Sequence, residues 1–442
     1  MPAFFAPLLQ RATRRMMRRE DGSATALSLF LMVACLALAA FAIDLQRVET
    51  LDIQLQNVAD TAAHAALIAR STKTEAQAKA AAVSIAQSNL PAVKAGAVIQ
   101  ADWVEFGNWN AVSRTFTPTA GSTEAVRVTL KRTAANGNPI DMLLLQIAGV
   151  DQMSLTRRAV MLGYDPDCLR EGFVAQGMVD IQSNNTFKNG FCIHSNTVVK
   201  VSSGNIFEPG VKVSMPDKAL VEMPNSGFAS SPGLEQALSS NRYDIRILGR
   251  IQTIIDGLKT GNSLFVPKYI TSTALQTVSP ASVKKNSFSQ GRMYSITCTG
   301  NQKLTINNDF VVTKAVVLTN CPITFANGAK IEDAVIATTN TDLKSIDGPN
   351  GIVLGKNDNC STDGGAQVLT LGGMSFASGL QVYGAQLLAA KDIVFSASSL
   401  GVQGAAFVAG GTISGTSGMT MSYCSGAGME QNFRMAYARL VM

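Results

Sequence analysis

Residues 24–43 read ATALSLFLMVACLALAAFAI, 20 positions without a charged side chain. At 1.5 Å per residue a helix of that length spans about 30 Å, the thickness of a bilayer's hydrocarbon core. No second run of this length follows. Just before it stand Arg11, Arg14, Arg15, Arg18 and Arg19 against Glu20 and Asp21, so residues 1–22 hold +3 of the chain's net charge of +6. Arginines on one flank mark the cytoplasmic side. The expectation is a single-pass membrane protein. Residues 1–23 are its cytoplasmic piece, 24–43 its transmembrane helix, and the bulk of the chain lies outside the cytoplasm. A cleaved leader is the alternative, because Ala40-Phe41-Ala42 has the small-x-small pattern. The apolar run, however, exceeds the roughly 7–15 residues of a leader's core.

The rest of the charge is spread thinly over residues 23–442, with no basic stripe for nucleic acid. Hydrophobic residues make up 46% and charged residues 15%, which excludes disorder for most of the chain. Cys35 stands alone in the apolar run, while Cys168, Cys192, Cys298, Cys321, Cys360 and Cys424 are widely spaced with no C-x-x-C. An even, scattered set points to three disulfides in an oxidising compartment. Neighbours in sequence are the favoured partners, though spacing does not decide the pairing. A pair such as Cys168–Cys192 would close a loop of about 25 residues, worth roughly 3 kcal/mol in the chain-entropy picture.

No breaker follows Ile43. Val48, Leu51, Leu55, Val58, Ala62, Ala65 and Ala69 recur at alternating spacings of 3 and 4. That is the seam of an a/d heptad, with Asp52, Gln54, Gln56, Asn57 and Asp60 on the outer faces. A helix from residue 24 to 70 would be about 70 Å long. Its seam either packs on its own domain or joins a second copy or partner helix as a coiled coil. His64 is a polar position on this helix. A second, alanine-rich helix is expected over residues 73–90, ending at Pro91.

Asp21-Gly22-Ser23 opens the apolar run, Asp44 stands at its exit, and Leu55-Gln56-Asn57-Val58-Ala59-Asp60 is followed by an alanine run. Further on come Val104-Glu105-Phe106-Gly107-Asn108-Trp109, Phe116-Thr117, Ala125-Val126-Arg127-Val128-Thr129, Gly137-Asn138-Pro139 and Ala159-Val160. In this order the motifs resemble the TadE/TadG-like proteins of Tad (Flp) pilus assembly, most closely the TadG-like branch. The resemblance covers residues 10–165 well. It rests on Gly22, Asp44, Leu55, Gln56, Asn57, Ala59, Asp60 and Trp109. The resemblance implies a bacterial inner-membrane protein with the bulk of its chain in the periplasm, working by protein–protein contact, with other Tad assembly proteins or pilus subunits as partners. TadE-type members carry Glu at the fifth position after the processing glycine; here that position is Leu27.

Residues 44–164 read as a helical stalk and a small α+β domain. Strands are expected at 98–106, 125–131 and 152–162, a short helix at 139–148, and Trp103 and Trp109 in the core. After Tyr164 the composition shifts to Gly, Ser, Asn and Thr with short apolar runs. Residues 380–393 (LQVYGAQLLAAKDI) align with 400–413 (LGVQGAAFVAGGTI) at a period of 20. That period suits rungs of a parallel β-solenoid; a β-sandwich with a chance duplication is the alternative. Residues 233–260 read as an amphipathic helical insertion. The expected class is therefore α+β, membrane-anchored, with a disulfide-stapled β-rich domain over 165–442.

Catalytic motifs are missing. There is no G-x-S-x-G and no Walker A loop, and two distant histidines, His64 and His194, preclude H-E-x-x-H. Cys192-Ile193-His194 is a weak metal hint with no second histidine in its domain. Residues 359–364 (NCSTDG) resemble a calcium loop, but its twelfth position is Thr370, where a bidentate acid belongs. Asp358, Asp363, Glu332 and Asp333 read as turn residues. The expectation is a protein without catalytic, cofactor or metal sites; the other readings are a secreted β-helical adhesin and a glycan-active protein.

Overall fold

The structure, a computed structural model, describes residues 21–442 apart from 165, 309, 416 and 436. All but the last three residues of the expected cytoplasmic segment lie outside the described residues. The chain divides into two compact units. One ends at Tyr164 and regains the C-terminal segment; the other holds the residues between.

Helix α1 (Asp21–Arg70) is a single helix of 50 residues. Its most apolar window has mean hydropathy 2.6, is long and apolar enough to cross a membrane, and is not buried in protein. From Asp44 onward one face is covered. Thr74 starts α2 (Glu75–Asn89) with a reciprocal cap: its hydroxyl accepts from the Gln77 amide, and the Gln77 side chain accepts from the Thr74 amide. Pro91 keeps the helix from continuing.

The two helices pack on an antiparallel sheet of β1 (Val104–Asn110), β2 (Thr115–Pro118), β3 (Ala125–Arg132), β4 (Leu155–Tyr164) and the terminal strand Tyr437–Leu440. The order is β2-β1-β3-β4-terminal strand. Ala59, Ala62, Ala63 and Ala66 of α1 meet Ala78, Ala82 and Ala86 of α2. Alanine loses no rotamer freedom on burial, so this small-residue contact forms at low entropic cost.

Of the two readings of the seam, the structure has it packed on its own unit: Val48, Leu55, Val58 and Ala62 are buried there, and Leu51, Ala65 and Ala69 half-buried. Several other expectations need correction. Trp103 and Trp109 are only half-buried. Trp103 lies under the Lys131 ammonium at 4.3 Å, while Phe106 and the valines of β1 and β3 fill the core. The strand expected from residue 98 starts at Val104, behind a turn at Ala101–Trp103. The helix expected at 139–148 is instead a strand, Ile140–Asp141, paired with Gln152–Met153, and one tight turn, Leu145–Ala148. Finally, Tyr437–Leu440 pairs with β4 and so leaves the β-rich domain, which was expected to run to residue 442.

Among the described residues of the second unit every ladder pairing is parallel, which runs against the β-sandwich alternative, since such sandwiches are built from antiparallel sheets. The repeat seen in the sequence is structural: Val382 pairs with Val402, Leu387 with Phe407 and Ile393's strand with Ile413's. Gly384 and Gly404 both adopt positive φ, 61° and 63°, at the matching corner. A Cβ on Gly384 would stand 2.7 Å from the Gly428 carbonyl oxygen, so glycine is required there.

Spatial order differs from chain order. One inward ladder runs Tyr294, Val317, Ile336, Val368, Leu387, Phe407, then Phe173, Ile193, Val213 and Leu238. The chain thus enters at the middle of the array and climbs to one end at Leu238–Ser240. It then crosses by residues 241–274 to the other end at Leu275–Val278, and winds back to where it began. The crossing carries α3 (Ile251–Lys259), whose Ile251, Ile254, Ile255 and Leu258 cover outward-facing Val316, Val335 and Leu388. The helix expected over 233–260 is therefore only this piece and one turn, Leu234–Ala237. Between them, Ile245 and Ile247 are also buried on the same face.

Candidate functional site

The family-motif residues gather along α1. Asp44, one residue past the bare apolar stretch, is buried, and its carboxylate accepts from the amides of Leu143, Leu144 and Leu145 at 3.0, 2.8 and 2.7 Å. Burial pushes its pKa up, but the three amides and Arg47 outweigh this and hold it below the usual value. This grip is why residues 143–145 turn instead of continuing a helix. Leu55 and Ala59 are buried against α2 and the sheet. Gln56 donates to Asp60 at 2.7 Å and to the Arg158 carbonyl at 3.2 Å, tying α1 to β4. Asn57 is exposed, Gly22 lies in the first turn, and the Trp109 amide donates to Glu124. Sequence reasoning missed the Arg157–Asp52 pair, 105 residues apart, with Nε donating to Oδ1 at 2.6 Å. No local pattern marks such a partner.

Replacing Asp44 with Ala should free residues 143–145. Their amide hydrogen exchange, read by mass spectrometry, should speed up roughly tenfold or more, the scale of losing hydrogen bonds to a charged acceptor. Residues 125–132 should be unchanged.

In the second unit the cysteines pair as neighbours in sequence: Cys168–Cys192, Cys298–Cys321 and Cys360–Cys424. Cys192 is thus a disulfide partner. His194 is fully buried, with Nδ1 2.8 Å from Ser214 Oγ and Nε2 3.0 Å from Asn196 Oδ1, and its ring rests on Tyr243 at 4.2 Å. Both ring nitrogens are occupied by protein. Among the described residues no group of three or more His, Cys, Asp or Glu could hold a metal.

Of the four acids read as turn residues, Asp333, Asp358 and Asp363 sit in turns, whereas Glu332 ends the strand Lys330–Glu332. Asp333 accepts from the Gly364 amide at 2.6 Å, Asp358 from the Ser361 amide at 3.1 Å, and Asp333 and Asp363 have positive φ. Glu171 is the buried acid that sequence reasoning overlooked. It accepts from the Cys424 amide at 2.6 Å and from the Gly426 amide, clasping the chain's entry to its exit.

Burial holds the His194 pKa below its ordinary 6.5, against a smaller opposing effect from Asn196. The folded form then binds a proton less readily than the unfolded chain, so its stability contribution is full above the unfolded pKa and shrinks as pH falls below it. Burial raises Glu171 above the ordinary carboxylate value, giving the opposite slope. Between about pH 7.5 and about pH 5.5 the oxidised protein should lose melting temperature relative to a His194→Gln variant. Parallel curves for the two proteins would refute this.

Three family models match the chain. A Flp pilus-assembly TadE/G-like model covers residues 22–86, a Tad-like Flp pilus-assembly model covers 61–160, and the domain of unknown function DUF7867 covers 172–425. The helix and small sheet thus define a Tad-like pilus-assembly protein. The chain belongs to the DUF7867 family, whose model spans more than half of it, and carries the Tad-like domains ahead of that region. No curated protein and no solved structure matches it.

Proposed function

We propose that the chain is a single-pass inner-membrane component of Tad-type pilus assembly, of the TadG-like branch. It works by contact in the periplasm and not by catalysis. The observation that carries this reading is α1. Its first half is apolar and bare, and its continuation is packed inside the region that the Tad-like models match. Three disulfides support an oxidising compartment for the second unit. We read that unit as a β-solenoid whose inward ladders are apolar, leaving its turns to meet other pilus-assembly proteins or pilus subunits.

Surface pili counted by electron microscopy on cells lacking the gene should vanish. They should return with the full chain and fail to return with residues 24–43 deleted. Unchanged pili in the deletion strain would overturn the reading. Intact mass of the membrane-extracted chain should include the N-terminal segment; loss of about the first 42 residues, the small-x-small cleavage, would overturn the anchor.

A further inference from the structure

We infer that residues 142–150 form a second membrane contact, a loop that lies in the lipid interface beside the spanning helix. The inference rests on the reading of residues 24–43 as a membrane span.

The loop is fixed in place by Asp44, the first residue after the 20 apolar positions, through the amides of Leu143, Leu144 and Leu145. Leu145 turns inward, beside Val48 and Leu51. Its neighbours turn outward: Leu143 is 54% exposed, Ile147 87% and Val150 44%. Met153, on the strand that closes the loop, is also exposed. Exposed apolar residues clustered on one short loop call for a covering surface.

Continuity with the span identifies that surface as lipid. Ile43 and Leu45, on α1 next to Asp44, are themselves half exposed. The rise per residue is 1.5 Å, so Asp44 stands about one residue beyond the end of the apolar run. The headgroup layer extends roughly 5–7 Å past the hydrocarbon on each side. A loop held at Asp44 falls within that layer, the depth at which amphipathic segments bury their apolar side chains. The exposed Arg47 donates to the Asp141 carbonyl at 2.8 Å, setting a cation at the same level, where anionic headgroups are found. The buried carboxylate of Asp44 is already satisfied by three amides, so an acid at this depth presents no bare charge to the lipid.

The test uses the full chain in vesicles of phosphatidylethanolamine and phosphatidylglycerol. On a Cys35→Ala background, Ile147→Cys, Leu31→Cys and Val112→Cys variants are each labelled with an environment-sensitive fluorophore. Val112 is 97% exposed on the β1–β2 turn and serves as the water reference. The dye at 147 should be blue-shifted and quenched several-fold more by lipid nitroxides near the headgroup than by aqueous iodide. The dye at 31 should be quenched by nitroxides deep in the acyl chains, and that at 112 by iodide alone. If 31 reads as deep while 147 behaves like 112, the loop inference fails and the span stands. If both 31 and 147 behave like 112, the span itself fails and takes the inference with it. A dye at 147 shielded from both quenchers is covered by a second copy, which also overturns the inference. A Leu143→Cys label should repeat the result obtained at 147.

Discussion

Replacing Phe173 with Ala should destabilise the second unit by about 3–5 kcal/mol, the cost of deleting a buried phenyl ring. Phe173 lies on the first strand of that unit, Gly172–Ala175, yet its ring meets Phe407 at 5.1 Å and Phe395 at 5.5 Å, both on the strand Ile393–Ala409. It also meets Phe191, just before the strand Cys192–Ser195, at 5.0 Å. The substitution therefore empties the joint where two parts of the chain, more than 200 residues apart, stack in register. Out of a total stability of roughly 5–15 kcal/mol, the loss is severe. Hydrogen exchange should rise first at residues 172–187 and 405–422. A Phe288→Ala change removes a ring stacked on Phe310 away from this joint, and serves as the control. It should cost a similar amount but raise exchange around residues 292–313. The same exchange pattern for both variants would show that the joint is not a separate weak point.

The second large effect is a survival. Tyr164 and Tyr437 are direct antiparallel partners, with ring centroids 5.9 Å apart, although the whole second unit lies between them in sequence. Cutting out residues 165–436 and joining the ends through Asn-Gly should leave the first unit folded, because a two-residue turn closes just such a pair. Circular dichroism should retain the α1–α2 helices, and the Asp52–Arg157 region should keep its exchange protection. On the proposed function, this short protein should still insert in the membrane but fail to restore pili. A stub that unfolds would show that the second unit supports the sheet through more than its two connections.

The parts legible in the sequence were those with local periodicity. The seam of α1, the alanine-rich α2 that stops before Pro91 and the 20-residue repeat each carry their signature within a few turns or strands. What escaped depends on distant partners. Asp44 shapes residues 143–145 from about 100 positions away, so a proline-led helix expected at 139–148 became a strand and a turn. The isoleucines of 245–258 matched a helical face, but the surface they cover also accepts extended chain, so only part of the stretch is helical. Trp103 and Trp109 were expected in the core of the small domain. There alanine and valine allow closer packing, and Trp103 lies instead under a lysine. Nothing in an apolar residue of a parallel ladder says which other strand it will join, so the Phe407–Phe173 pairing could not be read.

That pairing also sets an order of events during synthesis. Residues 172–240 emerge with one edge of their ladders unpaired, and the strands that pair with it are made only when residues 405–422 arrive. Contacts of such long separation form slowly. Meanwhile the nascent chain has one covalent device within reach, Cys168–Cys192, which links the entry to the strand Cys192–Ser195 before any later strand exists. The closing devices, Glu171 on the amides of Cys424 and Gly426 and the Cys360–Cys424 bond, form only once Cys424 and Gly426, near the end of the unit, are made. An early oxidation and a late one thus bracket the assembly, which ties the maturation of this protein to the thiol-oxidising capacity of the compartment that receives it.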